Sequence, residues 1–497
     1  MEKIAVKDEE AYQKVVNVFK KQETGLTTAD VVARTALSVD KVKELLPVAA
    51  DEFSARLRVT ESGEILYTFP KHLKSKYKGP GVFLRRAFRA VRKGVKTVSA
   101  ILFKGWIMVM LVGYFVLFML IALAAMLLSV AASAANNNSE RRDSGGGFYL
   151  LSGIFNLIIR IWFYSELTKA VTGDYGAPRQ KRPKGKPLYK AIFSFVFGDG
   201  DPNADIETRE KKAFIAYVQA NNGLISLPEF MTITGLPPVE AEERIVSYCA
   251  QFAGYPEASE DGVVMYRFNQ LLLNAAKTGT VYNEFSAPIK RLKTFSSNQK
   301  KLNFWFSLLN GVNLIFGGYF FYNAMHTGQI LTQAQFNEAS QLYGITYLIF
   351  YQMLGIGDPV PLLLYGLGLV PLVFSAFFWG TPAIRSLLVK KENQKIKMDN
   401  LRKFGYKAVL DSPLCVTPSA IKPTAPECTP DSPQTAASQI IKEIGAYSQP
   451  EVQISENGET VYVFNDLERE LKSMDKARKS SRGESLGGVV FDSGEEV

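Results

Sequence analysis

The chain has 497 residues, of which 47% are apolar and 21% charged, with 58 Lys and Arg, 48 Asp and Glu, two His and three Cys. A chain this long allows about three to four domains. Cys249, Cys415 and Cys428 form no CxxC pair and are joined only by His72 and His326, so zinc-finger and iron–sulfur ligand sets are excluded, and the net charge of +10 is what needs a reason.

Residues 1–78 read as a small α/β unit. AYQKVVNVFKKQ puts Val15, Val16, Val18 and Phe19 on a helical face, and Gly25 ends the helix before a short strand at Leu26. Thr28 can cap a helix ADVVART, and Ser38 a longer one, VDKVKELLPVAADEF, interrupted or kinked at Pro47. The strand ARLRVT, a Ser-Gly turn and the strand EILYTF close the unit. Helix, short strand, two helices and a two-stranded wing make the layout of a winged helix.

The closing hairpin occurs three times, as ESGEILYTF, EDGVVMYRF and ENGETVYVF. Gly63 is followed by Tyr67 and Phe69, Gly262 by Tyr266 and Phe268, and Gly458 by Tyr462 and Phe464. Ser-Gly, Asp-Gly and Asn-Gly are hairpin signals because Gly takes φ > 0 without a Cβ clash. Residues two apart share a strand face, so each Tyr and Phe stand on a common side.

Residues 79–104 predict a basic amphipathic helix in the headgroup layer, with a solvated helix packed on the first unit as the plainer alternative. From Trp106 to Ala132 there is no charge, and the run is long enough to cross the roughly 30 Å hydrocarbon core. It stands about a hundred residues in from the first residue, so a cleaved signal peptide is not expected. A polar loop and a second apolar block, 148–167, complete a transmembrane hairpin over 105–168. Asn156 and Arg160 lie inside that block, Arg160 near enough to its end to snorkel.

A basic linker, 169–190, precedes AIFSFVFGDGDPNADIETRE, where Phe193, Phe195 and Phe197 alternate as in a strand or on an apolar surface against the membrane face. Asp199, Asp201, Asn203 and Glu210 overlap a calcium-loop spacing, but Ala204 stands where the sharp turn needs Gly. A turn and a capped helix start explain the same residues without an ion. Unit 191–285 then repeats the first: the helix KKAFIAYVQANN, Gly223, the strand LIS, a capping box Ser226 and Glu229, and a helix from Pro238 to Phe252. Gly25 and Gly63 are 38 residues apart, Gly223 and Gly262 39.

Residues 302–384 form a second membrane module. Phe304 to Met325 spans, 342–358 is expected to be re-entrant or interfacial because basic flanks on both sides require an even number of crossings, and Leu362 to Trp379 returns. A degenerate third unit occupies 385–472, Pro-rich where the others have a helix, and a disordered tail is expected over 473–497.

The expected architecture is therefore an α-helical polytopic membrane protein with two transmembrane hairpins and three cytoplasmic winged-helix-like α/β repeats. Lys and Arg cluster beside the apolar blocks, which accounts for the positive charge through membrane orientation and anionic lipid headgroups. The stretch SFVFGDGDPN, Ser194 to Asn203, with the helix–Gly–strand unit and spans that follow it, resembles a group of cyanobacterial and plastid membrane proteins of unassigned activity, some labelled with iron–sulfur cluster biosynthesis. That label would require cysteine ligands which three scattered cysteines do not supply.

Three function classes compete. A scaffold or assembly factor would present the three units to an unidentified cytoplasmic protein at a bacterial cytoplasmic membrane, without cofactor or catalysis, and with homo-oligomerisation open. An oligomeric transporter or channel would use a polar path of Asn310, Asn313 and Asp358, with His326 nearby. A membrane-anchored DNA regulator would need basic reading helices, but PVEAEERIVSYCAQF has three Glu and one Arg, so nucleic acid is not expected. No GxGxxG, GxxxxGK[ST] or HExxH occurs, two His do not support a hydrolase triad, and an enzyme is not expected.

Overall fold

Asp8 Oδ1 accepts the Ala11 N–H and opens the first helix, α1 (Glu9–Phe19), whose buried stripe is Ala11, Tyr12, Val15, Val16 and Phe19. The computed structural model describes residues 8–20, 25–76, 95, 98–135, 186–275, 287–332, 339–423, 425–456, 458–481 and 486–494. Described residues are mostly helical and fall into two compact units. One is Met1–Arg85, Asp201–Lys293 and Lys391–Val497; the other is Arg86–Gly200 and Thr294–Lys390.

In the first unit three stretches follow one plan. After α1 come a bridge at Leu26, α2 (Thr28–Thr35), α3 (Val39–Phe53) and the antiparallel pair β1 (Arg56–Thr60) and β2 (Ile65–Thr68). The cap of α2 is Thr27, not Thr28. Its hydroxyl accepts from Asp30 N while Asp30 accepts from Thr27 N, closing a capping box. Pro47 does not break α3, which stays helical through Phe53 with Leu45, Leu46, Ala49 and Ala50 buried around it.

The second stretch repeats the order as α6 (Ile206–Ala220), β3 (Leu224–Ile225), α7 (Leu227–Thr234), α8 (Pro238–Phe252), β4 (Tyr255–Ala258) and β5 (Val264–Arg267). Ser226 and Glu229 form its capping box at the position of Thr27 and Asp30. In the third stretch the charged end of a long helix is followed by a bridge at Val416. Two 3₁₀ turns, Pro418–Ala420 and Pro426–Cys428, stand where the others have a helix, and α12 (Pro433–Tyr447), β6 (Glu451–Ile454) and β7 (Thr460–Val463) follow. Pro-rich chain cannot donate the amides a helix needs, so this copy turns instead. One contiguous core joins all three stretches, with Val15, Val42 and Tyr67 from the first, Phe214, Phe230 and Phe268 from the second, and Leu401, Ile440 and Phe464 from the third.

The tail departs from expectation. The described residues of 473–497 are not the disordered tail expected there: α13 (Asn465–Ser480) carries the chain well past 473, and β8 (Val489–Asp492) pairs antiparallel with β1. Leu467, Ser473 and Met474 give α13 a buried stripe that its polar composition concealed.

The second unit is built on apolar helices: α4 (98–135, with a π turn at Val109–Gly113), α5 (Leu188–Phe197), α9 (Lys300–Met325), α10 (Gln341–Leu348, continued by a π turn at Ile349–Met353) and α11 (Val370–Asp411, preceded by a π run at Leu362–Leu369). The residues of α11 up to Lys390 group with this unit and the rest with the first. Among the described residues three helices are long and apolar enough to cross a membrane: Val98–Leu128, Lys300–Met325 and Leu362–Asp411, the last through its apolar half. Their outward residues are apolar, with Leu102 67%, Ile315 70% and Leu387 72% exposed.

Phe193, Phe195 and Phe197 lie on helix α5, not on a strand. Ala191, Ile192, Phe195 and Val196 form its buried face, and Phe193 and Phe197, one turn apart with centroids at 4.9 Å, form another. With apolar residues on every side, a two-residue alternation carries no strand information. Residues 188–200 also group with the apolar helices of the second unit rather than with the second α/β stretch. The interfacial helix expected over 79–104 lies outside the described residues except Val95 and 98–104, and those last residues already belong to α4. The second arm of the first hairpin, with Asn156 and Arg160, and the basic linker to residue 185 also lie outside them. Residues 341–353 are helical, about 20 Å at 1.5 Å per residue and shorter than a span, and the chain turns at Gly355 (φ +67°).

Candidate interaction surface

The three hairpins share one pairing scheme. Gly63, Gly262 and Gly458 have φ of +78°, +78° and +76°, a conformation that disfavours side chains, and donate their N–H to the carbonyls of Thr60, Ser259 and Ser455 at 2.9, 2.9 and 2.8 Å. Tyr67, Tyr266 and Tyr462 sit in the middle of each small sheet. On one side they pair with Leu57, Pro256 and Val452; on the other they meet Leu26, Ile225 and Val416. Leu26 and Ile225 stand 41 positions before their Tyr, and Val416 stands 46 before its own. Phe69, Phe268 and Phe464 enter the core: Phe69 lies against Phe19 at 4.1 Å between centroids and Phe268 edge-on to Phe214 at 5.0 Å. Gly254 leaves room for that ring, since a Cβ there would come within 2.2 Å of it.

The recurring Gly-x-x-x-Tyr-x-Phe pattern therefore marks the buried side of each hairpin. What each hairpin offers outward is its other strand, β1, β4 or β6, and sequence reasoning singled out none of these. The three edges differ. β1 is covered by β8, with Arg58 opposite Asp492 and Val59 opposite Phe491; Ser493 N donates to Leu57 O, and Arg56 grips Asp492 through Nε–Oδ1 at 2.6 Å and Nη2–Oδ2 at 2.7 Å. Those hydrogen bonds draw the Asp492 carboxyl below the ordinary carboxylate range. β4 carries Pro256, which has no N–H, and Glu257, held by Arg267 of its own hairpin. β6 pairs only with β7 among the described residues, and its Val452 and Ile454 are 61% and 79% exposed.

Helix α13 braces this surface. Arg478 Nη2 binds both oxygens of buried Glu229 at 2.8 and 2.6 Å and the Leu224 carbonyl at 3.3 Å. Ser473 meets Ser259 at 3.0 Å, and Lys476 meets Glu260 at 3.0 Å. Glu470 is buried with the Tyr447 hydroxyl 3.1 Å from each oxygen. Burial pushes its carboxyl up to about 7; the Tyr447 hydrogen bond opposes that rise and the charge of Glu229 adds to it.

No family model matches the chain. No solved structure matches it either. It is similar to an uncharacterized chloroplastic protein of Arabidopsis thaliana, 24% identical over 400 residues that make up 78% of this chain and 70% of the relative. A chloroplastic relative is consistent with the plastid side of the resemblance read from the SFVFGDGDPN stretch.

The calcium-spaced residues have separate partners. Asp199, in the second unit, accepts from Lys186 Nζ at 2.6 Å, Ser194 Oγ at 2.9 Å and Ser297 N at 2.7 Å; burial pushes its carboxyl up, but these bonds outweigh that and hold it well below its usual range. In the first unit Asp201 accepts from Asn203 N at 3.0 Å, Asn203 brackets the backbone of Arg291, and Glu210 pairs with Lys403 at 2.9 Å. Among the described residues no group of three or more His, Cys, Asp or Glu could hold a metal ion.

Asn310 and Asn313 are fully buried. Asn310 Nδ2 donates to the Ser375 carbonyl at 3.3 Å and Asn313 Nδ2 to the Leu111 carbonyl at 2.9 Å. Asp358 is exposed and accepts from Val360 N at 3.0 Å. Phe316, Phe320, Leu363 and Leu367 form an apolar cluster along the same helices, and the structure does not bring the three polar residues together. His326 Nδ1 lies 2.8 Å from the Tyr322 carbonyl.

Sequence reasoning also missed a captured extended segment, residues 290–293, in the first unit. Asn400, Asn203 and Asn393 each bond both the N–H and the C=O of one residue, Lys290, Arg291 and Lys293 in turn, at 2.7–2.9 Å. Basic residues read only as a membrane flank are thus held by their backbone, and Lys290 pairs with Asp399 at 2.8 Å. Asparagines scattered over 190 positions carry no local signal of this.

Proposed function

We propose that the three α/β stretches are winged-helix-like repeats and that the chain is a non-enzymatic membrane scaffold or assembly factor presenting them to protein partners. The observation that carries this reading is β8 on β1: one hairpin edge already takes up an added strand, the chain's own 489–492, through backbone pairing and the Arg56–Asp492 ion pair. The helix a DNA-binding winged helix would insert supports it further, since α8 exposes Glu242, Glu243 and Val246 and would repel phosphate. The same reading sets all three repeats on one side of the membrane, beside the basic flanks and anionic lipid headgroups. The Arabidopsis relative is named as chloroplastic, which supports a plastid setting for these spans.

Because the three stretches share one core, the test uses the full chain. Cross-linking of the tagged protein in its native membrane, followed by mass spectrometry, is expected to recover one recurrent protein partner. Anisotropy titration with duplex DNA at 150 mM salt is expected to show no binding. DNA binding without a recurrent protein partner would sink the proposal.

A further inference from the structure

Aligning the hairpins by register makes Arg56, Tyr255 and Glu451 equivalent, opposite Thr68, Arg267 and Val463. Leu57, Pro256 and Val452 are equivalent in turn, as are Val59, Ala258 and Ile454. In the first hairpin Leu57 exchanges bonds with the added strand: its carbonyl accepts from Ser493 N at 2.9 Å and its N–H donates to Ser493 Oγ at 2.9 Å. The second hairpin has Pro256 at this position and can donate nothing outward. In the third, Val452 retains its N–H and the strand beyond is absent among the described residues.

Three edges of one design are thus filled, blunted and open. Exposed apolar edge strands are association sites unless charge, Pro or a covering strand protects them. β6 has Val452 and Ile454 exposed on one face, no Pro within it and no covering strand among the described residues, and its single charge is Glu451 at its start. Charge names the occupant. Where β1 presents Arg56 to Asp492 of its added strand, β6 presents Glu451, so the complementary strand carries Lys or Arg at that place.

We propose that β6 is a strand-addition site for an extended partner segment with β-branched or aromatic residues like those of β8 and a basic residue at the position of Asp492. The proposal rests on the reading of the repeats as protein-binding modules and names the partner's chemistry. The strand pairs antiparallel to β6, exchanges backbone bonds with Val452 and closes an ion pair on Glu451.

The test uses the full chain in nanodiscs and two labelled nonapeptides, the chain's own residues 486–494 and the same peptide with D492K. The D492K peptide is expected to bind more tightly, by up to about fivefold at low salt for an exposed ion pair. Glu451→Arg inverts the order, and Val452→Pro, which copies the second hairpin, abolishes binding of the D492K peptide while leaving the melting temperature unchanged. Equal affinity of the two peptides, or an order unmoved by Glu451→Arg, overturns the proposal. So does dimerisation of the peptide-free chain that Val452→Pro removes, or a blue-shifted dye at Ile454→Cys in empty nanodiscs, which would make a second copy or the lipid the occupant. If a cross-linked partner survives Val452→Pro undiminished, this site fails while the scaffold reading stands. If the peptides bind as expected but no partner is ever recovered, the scaffold reading fails instead.

Discussion

The two compact units solve opposite problems with the same helical material. The first surrounds one apolar core with charged side chains and, where charges go inside, pairs them: Lys403 with Glu210, Arg478 with Glu229, Arg402 with Glu443. The second turns its apolar residues outward and buries amides. Asn310 and Asn313 each satisfy a backbone carbonyl, and Gly317 and Gly368 let α9 and the 362–411 helix approach closely. An apolar core with its buried charges paired therefore marks the first unit, whereas small residues and close helix approach mark the second.

The sharpest way to break this comparison is Lys403→Met. Lys403 is buried, its ammonium pushed down by burial against the pull of Glu210, and it also donates to Pro288 O at 2.7 Å. Removing it strands Glu210 and is expected to cost about 3–5 kcal/mol in urea unfolding, most of it recovered in the Lys403→Met/Glu210→Met double variant. In the second unit Gly368→Leu is the counterpart: a Cβ there would meet the Phe321 backbone at 2.9 Å. It is expected to cost about 1–3 kcal/mol in detergent, while Gly380→Leu, with open space around it, stays within about 0.5 kcal/mol.

Glu470 supplies a pH test of the first unit alone. Its carboxyl is raised to about 7, so the folded state holds a proton that the unfolded chain releases near 4.5. Its contribution is present below the unfolded value and is lost as pH rises through about 7. The slope is at most about 1.4 kcal/mol per pH unit, and Glu470→Gln is expected to flatten it in urea titrations between pH 5 and 8. The smallest effect separates two neighbours: Thr27→Ala loses the capping box and costs about 1 kcal/mol, whereas Thr28→Ala moves the melting temperature little.

That last pair shows how closely local signals could be read. The helix start was found one residue late, because Thr27 and Thr28 are both good caps and only the reach of Asp30 back to Thr27 N distinguishes them. Gly63, Gly262 and Gly458 were legible because a tight turn imposes its own residue chemistry. The α5 aromatics misled because a helix apolar on all sides has no period to read. The candidate surface was the least legible part: the Tyr and Phe of the hairpins face inward, and the outer strands show no motif.

Taken alone, the sequence determined what short-range physics controls: three hairpins with Gly turns, capped helices before them, and apolar runs of membrane length. Backbone conformations and hydrophobic lengths are properties of consecutive residues. Tertiary structure decided what depends on residues far apart meeting: that three α/β stretches share one core, that asparagines hold the backbone of residues 290–293, and that the polar tail orders as α13 and β8. It also made the outer edges of the three hairpins unequal. Arg56 finds Asp492, 436 residues away, while Glu451 on the same design meets no strand among the described residues. Such pairing depends on the closure of long loops around a common core, and no stretch of neighbouring residues encodes it.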